Sequence, residues 1–325
     1  MRVRLAFAMA LSLSAALRTS PSWSEDWPTR PVTMVVPFAA GGGADVLARI
    51  VAQRLSQILG QPVVVENLGG AGGMIGGNRV AKASPDGSQF LLGSRADAIN
   101  QTLYKRPLYD LKKDLAPVAL IAEQPNVLAV RKDFPADNLA DFIAYVKKNQ
   151  TTLRFGSPGV GSTGYVDCAL FNEAIGANVQ QIPYRGGGPA LQDLIMQQVD
   201  YLCALAPPAI PAIQSDLIKG IAVLDRARLP SLPALATAKE QGTDFKGTAW
   251  FAFYLPKRTP IEIIKKLHDA TIAAINTPAV QEQLAATGTF VVPQEEQSTE
   301  YAQKFIPAEI EKNAAPLRAA GMFIE

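Results

Sequence analysis

The sequence is poor in the two residue types that build most metal centres and many catalytic sites. It has one histidine, His268, and two cysteines, Cys168 and Cys203, among 325 residues. These form neither a CxxC pair nor a His/Cys cluster of the kind that binds zinc. His268 stands in the charged segment IKKLHD, far along the chain from any candidate nucleophile. We therefore expect a solvated surface histidine, no metal, no cofactor and no catalytic residues.

Long apolar runs are also missing after the first residues. Residues 5–17 are largely apolar and follow Arg2 and Arg4, and the small residues Ser22 and Ser24 come just before Glu25. A helix that crosses a membrane needs about 20 apolar residues, whereas this shorter pattern is typical of a secretory signal peptide. We predict a signal peptide over residues 1–24, cleaved before Glu25, and export of a soluble protein to a periplasm. The alternative is an uncleaved membrane anchor.

Neither sign of charge dominates the chain. There are 31 basic and 29 acidic residues, for a formal net charge of +2. Loss of Arg2, Arg4 and Arg18 with the signal peptide would leave the mature chain slightly acidic. The sequence also has no stripe of Lys and Arg interleaved with aromatic residues, so we expect no nucleic acid partner.

The two cysteines leave two possibilities open. Export would permit a disulfide between Cys168, in a predicted helix, and Cys203, in a predicted strand. Free cysteines are also common as small buried residues of an apolar core. We favour two separate buried thiols and keep the disulfide as the alternative.

Strand and helix patterns alternate along the chain, which indicates an α/β fold with largely parallel sheets. Apolar segments at 118–130 and 249–255 have little helical period and are expected to cross between two lobes. The length after cleavage suits about two domains. We predict a discontinuous first lobe over 25–123 plus 247–325 and a second lobe over 124–246.

One local pattern occurs three times: a strand, a glycine-rich loop and then a helix. The strand at 33–37 leads through Gly41, Gly42 and Gly43 into a predicted helix at 44–59, and the strand at 153–156 leads through the loop GSPGVGSTG into another helix. A third loop spans 184–189. Such loops direct several backbone N–H groups to one point, where the helix dipole adds positive potential. Two of them facing each other would bind an anion from both sides of a cleft.

Other functions of the second loop have less support. Gly159 to Gly164 match G-x-G-x-x-G, but a dinucleotide site needs an acidic residue about 20 positions later, where this chain has Tyr184 and Arg185. Arg185 suits a 2′-phosphate, yet export argues against a nicotinamide cofactor. A tight turn without a ligand is the remaining alternative.

Several side chains near these loops are candidates with two interpretations each. Ser157, Ser162 and Thr163 lack a base and are better interpreted as donors to a carboxylate. Asp45 suits either the dipole of its own helix or a polar ligand group. Arg95, which follows Ser94 at a strand end, suits either a ligand carboxylate or a salt bridge to Asp97 or another acid. Tyr184 would either contact the ligand or pack with its hydroxyl in water.

Segments spread over the whole mature chain resemble the tripartite tricarboxylate transporter substrate-binding proteins, also called Bug receptors. They are WPTRPVTMVVPFAAGGGAD at 27–45, QPVVVEN at 61–67 with Gly72 and Gly73, SPDG at 84–87, PYRG at 183–186 and WF at 250–251. The resemblance implies a two-lobed fold of the periplasmic-binding-protein type, with a mostly parallel sheet in each lobe and two crossover strands at the hinge.

The resemblance also implies a site. The loop with Phe38, Ala39, Ala40, Gly41 and Gly42 and the loop from Ser157 through Gly161 to Thr163 would hold one carboxylate, and the loop with Tyr184 and Gly186 would line the same cleft. Many relatives carry histidine where this chain has Tyr165 and aspartate near Ala204, so these two positions alter the polarity of the pocket. Arg95 is unusual at its position. We expect it to bind the distal group of a dianionic or aromatic acid.

The function that follows is that of a receptor, not an enzyme. We expect a monomer that closes around a small carboxylate, a di- or tricarboxylate or an aromatic acid, and delivers it to a membrane permease of the tripartite tricarboxylate type. A receptor that reports to a sensor kinase without transport is one alternative. An exported enzyme on the same scaffold is the other.

Overall fold

The computed structural model describes residues 27–324, so the predicted signal peptide lies outside the described residues. Ten strands form one continuous sheet in this part of the chain. They are β1 (Val32–Val36), β2 (Val63–Asn67), β3 (Gln89–Ser94), β4 (Leu115–Arg131), β5 (Arg154–Ser157), β6 (Gln180–Pro183), β7 (Tyr201–Leu205), β8 (Ile218–Val223), β9 (Thr248–Pro256) and β10 (Phe290–Val291).

Helices flank this sheet on both faces. They are α1 (Gly43–Leu59), α2 (Met74–Ala81), α3 (Arg95–Leu103), α4 (Leu111–Asp114), α5 (Leu139–Asn149), α6 (Thr163–Ala174), α7 (Gly187–Ile195), α8 (Ala206–Gln214), α9 (Ile261–Ile275), α10 (Pro278–Ala286) and α11 (Thr299–Ala319). Within residues 27–324 none of these helices has the length and apolar character needed to cross a membrane.

The first lobe contains β1, β2, β3, β9, β10 and the first part of β4. Successive residues of a strand point to opposite faces of a sheet, and the buried residues of β1 follow that rule. Met34 and Val36 pack with α1, α9 and α10 on one face, whereas Val35 packs with α2, α3 and α11 on the other. A sheet buried on both faces explains why four of the five residues of this strand are apolar.

The second lobe contains the last part of β4 and β5 to β8. Phe142 of α5 and Phe171 of α6 pack on one face of its sheet with Tyr201 of β7. Leu194 of α7 and Ala212 of α8 pack on the other face. Each lobe therefore has a core of its own.

β4, which crosses between the lobes, and its neighbour β9 in the first lobe run antiparallel to the strands that they pair with. β4 pairs with β9 from Leu115 to Pro125 and then with β7 and β8 from Asn126 onwards, so it continues from one lobe into the other. Among the ten strands of residues 27–324, parallel pairing is confined to β1 with β2 and β3 and to β5 with β6 and β7. The prediction of mostly parallel sheets therefore holds only for these two groups of strands.

The structure corrects the expectation for the two cysteines. Cys168 of α6 and Cys203 of β7 form a disulfide, with their Cα atoms 5.5 Å apart. α6 packs directly against β7, and this brings the two thiols together. The prediction of two separate thiols was wrong because residue types alone do not give the distance between a helix and a strand.

Candidate ligand-binding site

A cavity of about 50 Å³ lies between the two lobes. A single water needs roughly 10–15 Å³ on this measure, so the space takes more than one water-sized group. It is lined by Phe38, Gly42, Gly43, Ala44, Ser94, Gly156, Pro158, Ser162, Thr163, Gly164, Gly187, Ala190, Leu202, Cys203, Ala204, Leu205, Pro208, Ala249 and Phe251.

The N-terminal ends of five helices border this cavity. Gly43 begins α1, Ser94 precedes α3, Thr163 begins α6, Gly187 begins α7, and Leu205 precedes α8. The first N–H groups of a helix have no acceptor within the helix, and the aligned peptide dipoles give that end a partial positive charge. The convergence of these ends makes the cavity a favourable place for an anion.

No charged side chain lines the cavity among the residues named above. Ser94, Ser162 and Thr163 supply its only polar side chains, and the other lining side chains are apolar or absent. In such surroundings, with little water to compete, backbone N–H groups interact more strongly with an anion than they do in solvent.

Asp45 orders the loop that begins α1 and does not line the cavity. Its carboxylate accepts hydrogen bonds from the Gly41 backbone N–H, Arg49 Nε and Asn67 Nδ2, each at 3.0 Å. Burial raises the pKa of Asp45, but these hydrogen bonds outweigh that effect and hold the pKa below its usual value. Asp45 therefore fixes the loop in which Phe38 and Gly42 contact the cavity.

The loop before α6 is also fixed from within. Ser157 Oγ is buried and accepts hydrogen bonds from the Gly159 N–H and Gln181 Nε2. Ser162 Oγ caps α6 by accepting the Tyr165 N–H at 3.2 Å. Ser157 stays behind the loop, whereas Ser162 and Thr163 reach the cavity.

Arg95 lies beside the cavity but its guanidinium is bound to protein groups. Nη1 lies 2.8 Å from Asp167 Oδ1 on α6, and Nε donates to Asn313 Oδ1 on α11, also at 2.8 Å. Asn126 Nδ2 donates to the other carboxylate oxygen of Asp167 at 2.7 Å. The predicted alternative of a salt bridge to an acid describes this contact, but the acid is buried Asp167 rather than Asp97.

Asp97 holds the backbone of Ser94 in place through a hydrogen bond. Its carboxylate accepts the Ser94 N–H at 2.6 Å and the Tyr109 hydroxyl, while Ser94 Oγ accepts the Ala96 N–H. Complete burial raises the pKa of Asp97 from 3.8 to about 6, against the effect of these hydrogen bonds. The end of α3 is therefore already capped by its own carboxylate.

Of the remaining predicted residues, only Ala204 lines the cavity. Tyr165 is half-buried and packs against the core of the second lobe and against Tyr104, which directly follows α3. Tyr184 lies in an open groove at the mouth of the cleft, where its hydroxyl donates to Asp193 at 2.6 Å. Burial and this hydrogen bond both raise the pKa of Tyr184.

The lobes meet at the mouth of the cleft through backbone. The Ala39 N–H donates to the Arg185 carbonyl at 3.0 Å. A Cβ added at Gly188 would lie 2.2 Å from the Ala40 carbonyl oxygen, and one at Gly186 would lie 2.6 Å from the Ala39 nitrogen. Gly161 lies nearby, where a Cβ would collide with Asn100. The glycines thus let the two lobes close completely.

The part of the cavity lining that comes from α8 and the hinge was not predicted from the sequence. Leu205, Pro208, Ala249 and Phe251 all line the cavity. The start of α8 could have been predicted from Pro207, because proline is tolerated in the first turn of a helix. The fit of Ala249 and Phe251 into the cleft follows from the pairing of β9 with β3 and β4, which no local pattern reveals.

Comparison with known sequences gives one family. Residues 47–322 match the family described as "Tripartite tricarboxylate transporter family receptor". The chain is 34% identical to the protein BugT of Bordetella pertussis over 98% of each of the two chains.

Solved structures agree with the fold. The periplasmic binding protein BugD is 36% identical, with a TM-score of 0.89 over 92% of this chain and 100% of BugD. MatC from Rhodopseudomonas palustris, solved with bound malate, is 34% identical, with a TM-score of 0.86 over 90% of this chain and 100% of MatC. Rpa4515 of R. palustris, solved with adipate, is 34% identical, with a TM-score of 0.86 over 91% of this chain and 98% of Rpa4515.

Proposed function

Since this chain belongs to the tripartite tricarboxylate transporter family of receptors, of the Bug type, we propose that it is an exported receptor for a small carboxylate. The observation that carries the proposal is the uncharged cavity bordered by five helix N-termini. The carboxylate ligands of MatC and Rpa4515 support the same class of ligand.

Binding would couple the two lobes. A carboxylate in the cavity accepts hydrogen bonds from the Gly43 end of α1 in the first lobe and from the Thr163 end of α6 in the second. Contacts with both lobes are made only in the closed form, so the ligand shifts the equilibrium towards closure. The boundaries proposed for this motion are 25–123 plus 247–325 for the first lobe and 124–246 for the second.

Export and delivery complete the proposal. Residues 1–24 act as a signal peptide, and the mature chain works as a monomer that hands its ligand to a membrane permease. A receptor that signals to a sensor kinase is the alternative. Deletion of the gene distinguishes them, because loss of uptake of the acid supports delivery, whereas loss of a transcriptional response alone supports sensing.

An enzymatic role has no support from the lining of the cavity. Within residues 27–324 the lining includes no histidine or carboxylate that would serve as a general base. His268 lies on α9, with its Nε2 3.2 Å from the Gln297 carbonyl. Ser162 and Thr163 are therefore proposed as hydrogen-bond donors and not as nucleophiles.

A thermal-shift screen of the mature chain from Glu25 tests the proposal. Mono-, di- and aromatic carboxylates are compared with a nucleotide. A ligand at 100 times its Kd should stabilise the folded state by about 2.7 kcal/mol. A shift with one class of acid is the expected result, and a shift with the nucleotide but with none of the acids would contradict it.

A further inference from the structure

The five helix ends around the cavity are not equivalent. α6, α7 and α8 have no acidic residue in the first turn, whereas α1 has Asp45 and α3 has Asp97. Asp45 is paired with Arg49, which offsets its charge at the end of α1. Asp97 has only neutral hydrogen-bond partners in the described chain, Ser94 and Tyr109, so the end of α3 lies directly over an uncompensated carboxylate.

Donors to an anion are therefore concentrated on α1, α6 and α7. α8 offers few, because Pro207 and Pro208 occupy its first turn and have no N–H group. α6 and α7 follow the adjacent parallel strands β5 and β6, so both helices begin at the same edge of the sheet. α1 meets them there, where a Cβ at Gly42 would lie 3.4 Å from the Gly187 nitrogen. These three ends form one pole of the cavity.

The hinge wall is different in character. We use this name for Ser94, Leu205, Pro208, Ala249 and Phe251, which come from β3, β7, α8 and β9. Ser94 and Phe251 face each other in the pairing of β3 with β9. The backbone N–H and carbonyl groups of β9 are engaged in pairing with β3 and β4, and the Ser94 N–H donates to Asp97. The wall offers mainly apolar side chains.

A second ligand carboxylate would find no cation at this wall. Arg95 is adjacent in sequence to Ser94, but its guanidinium is bound to Asp167 and Asn313. The Asp97 carboxylate beneath Ser94 carries the same charge as the ligand group and would repel it. The Ser94 hydroxyl is the one side-chain donor of this wall, and a carboxylate with so few donors in a closed, apolar space is strongly unfavourable.

Building on the proposed receptor function, we infer that the ligand is a small acid with a single carboxylate and an uncharged, apolar body. The carboxylate binds at the ends of α1, α6 and α7, and the body packs against the hinge wall. This proposal replaces the expectation that Arg95 binds the distal group of a dianionic or aromatic acid, and it separates this chain from MatC and Rpa4515, whose ligands malate and adipate have two carboxylates.

Titration calorimetry with two matched pairs of acids tests the inference. Hexanoate and adipate have chains of equal length and differ by a second carboxylate, as do benzoate and terephthalate. The monocarboxylate of at least one pair should bind the mature chain more tightly by about tenfold or more, a modest value for an unpaired buried charge. Equal or tighter binding of the dicarboxylate in both pairs would overturn the inference and leave the receptor function standing. Absence of binding by every acid would overturn both.

A pair of variants locates the body of the ligand. Ala249→Ser adds a hydroxyl to the hinge wall, and Ala252→Ser makes the same change on the same strand where the side chain packs on the other face of the sheet. Ala249→Ser should reduce the preference for the monocarboxylate by about threefold or more, whereas Ala252→Ser should not change it. Equal preferences in the two folded variants would contradict the placement.

Discussion

The guanidinium of Arg95 and the carboxylate of Asp167 form an ion pair between the two lobes, 2.8 Å apart and largely buried. Arg95 is the first residue of α3, directly after Ser94, and Asp167 lies one turn beyond Thr163 on α6. The pair thus joins two helices, one from each lobe, whose N-terminal ends border the cavity. Burial raises the pKa of Asp167, and Arg95 and Asn126 act against that effect.

Arg95→Ala should destabilise the folded protein. The substitution leaves Asp167 buried without a cation, and breaking a buried pair from one side costs about 3–5 kcal/mol. Urea unfolding measures the loss. The double variant Arg95→Met with Asp167→Asn removes both charges and should recover much of it. A single variant that is no less stable than the double variant would show that the ion pair is not important.

Gly188→Ala should prevent closure of the lobes without destabilising the folded protein. The added methyl group meets the Ala40 carbonyl oxygen only when the lobes are closed, and alanine favours a helix over glycine by about 0.5–1 kcal/mol. We expect an unchanged or higher Tm without ligand and a large loss of affinity for the acid. Gln192→Ala is the control, because it changes an exposed position of the same helix and adds no group where the lobes meet. Equal affinities of the two variants would contradict this account of closure.

Asp97 should make stability depend on pH. Its pKa is raised from 3.8 to about 6 in the folded protein, so between these values the folded chain holds a proton that the unfolded chain has lost. Stability from this group is greatest below about pH 4 and falls by roughly 3 kcal/mol as the pH rises to about 6. The Asp97→Asn variant lacks this contribution. Unfolding of both proteins in urea at several pH values gives the difference, and parallel curves would rule out the raised pKa.

The disulfide should contribute to stability through the loop that it closes. Cys168 and Cys203 are 35 residues apart, and a crosslink of this span contributes about 2–4 kcal/mol by restricting the unfolded chain. The double variant Cys168→Ser with Cys203→Ser should therefore melt at a lower temperature than the oxidised protein. Addition of a reductant should lower the Tm of the natural chain and not that of the variant. A Tm that is insensitive to both changes would contradict the disulfide.

Local signals in the sequence were sufficient for most of the fold. The strand before Phe38 and the helix ending at Gly60 were predicted from apolar periodicity and from glycine at a C-terminus, and the structure has β1 and α1 there. Three helices were not predicted. α3 has a weak apolar pattern, α4 has only four residues, and α8 contains Pro207, Pro208 and Pro211, which conceal its helical pattern.

α2 begins at Met74, although Gly76 and Gly77 fall within its first turns and glycine is a poor helix former. These glycines are required by close packing, since a Cβ at Gly77 would collide with the Tyr109 hydroxyl. Long-range packing of this kind leaves no trace in the local pattern.

The lining of the cavity was predicted only in part, because it too depends on long-range packing. Phe38, Gly42, Ser162 and Thr163 belong to loops whose sequence already indicates exposed N–H groups, and they line the cavity. The partner of Arg95 could not be predicted from the sequence, because Asp167 lies close to it only where the two lobes are in contact. Residue type left both a ligand carboxylate and a protein acid open for this arginine, and the structure has the salt bridge to Asp167.

A titration followed by NMR tests the central claim most directly. Mature protein labelled with ¹⁵N in glycine alone would report on Gly42, Gly43, Gly164 and Gly187, which line the cavity from both lobes. Addition of hexanoate should shift the amide signals of these glycines together with a single Kd, while signals from distant Gly60 and Gly242 stay in place. Saturable binding that leaves the four cavity signals unchanged would contradict the claim that helix ends hold the carboxylate.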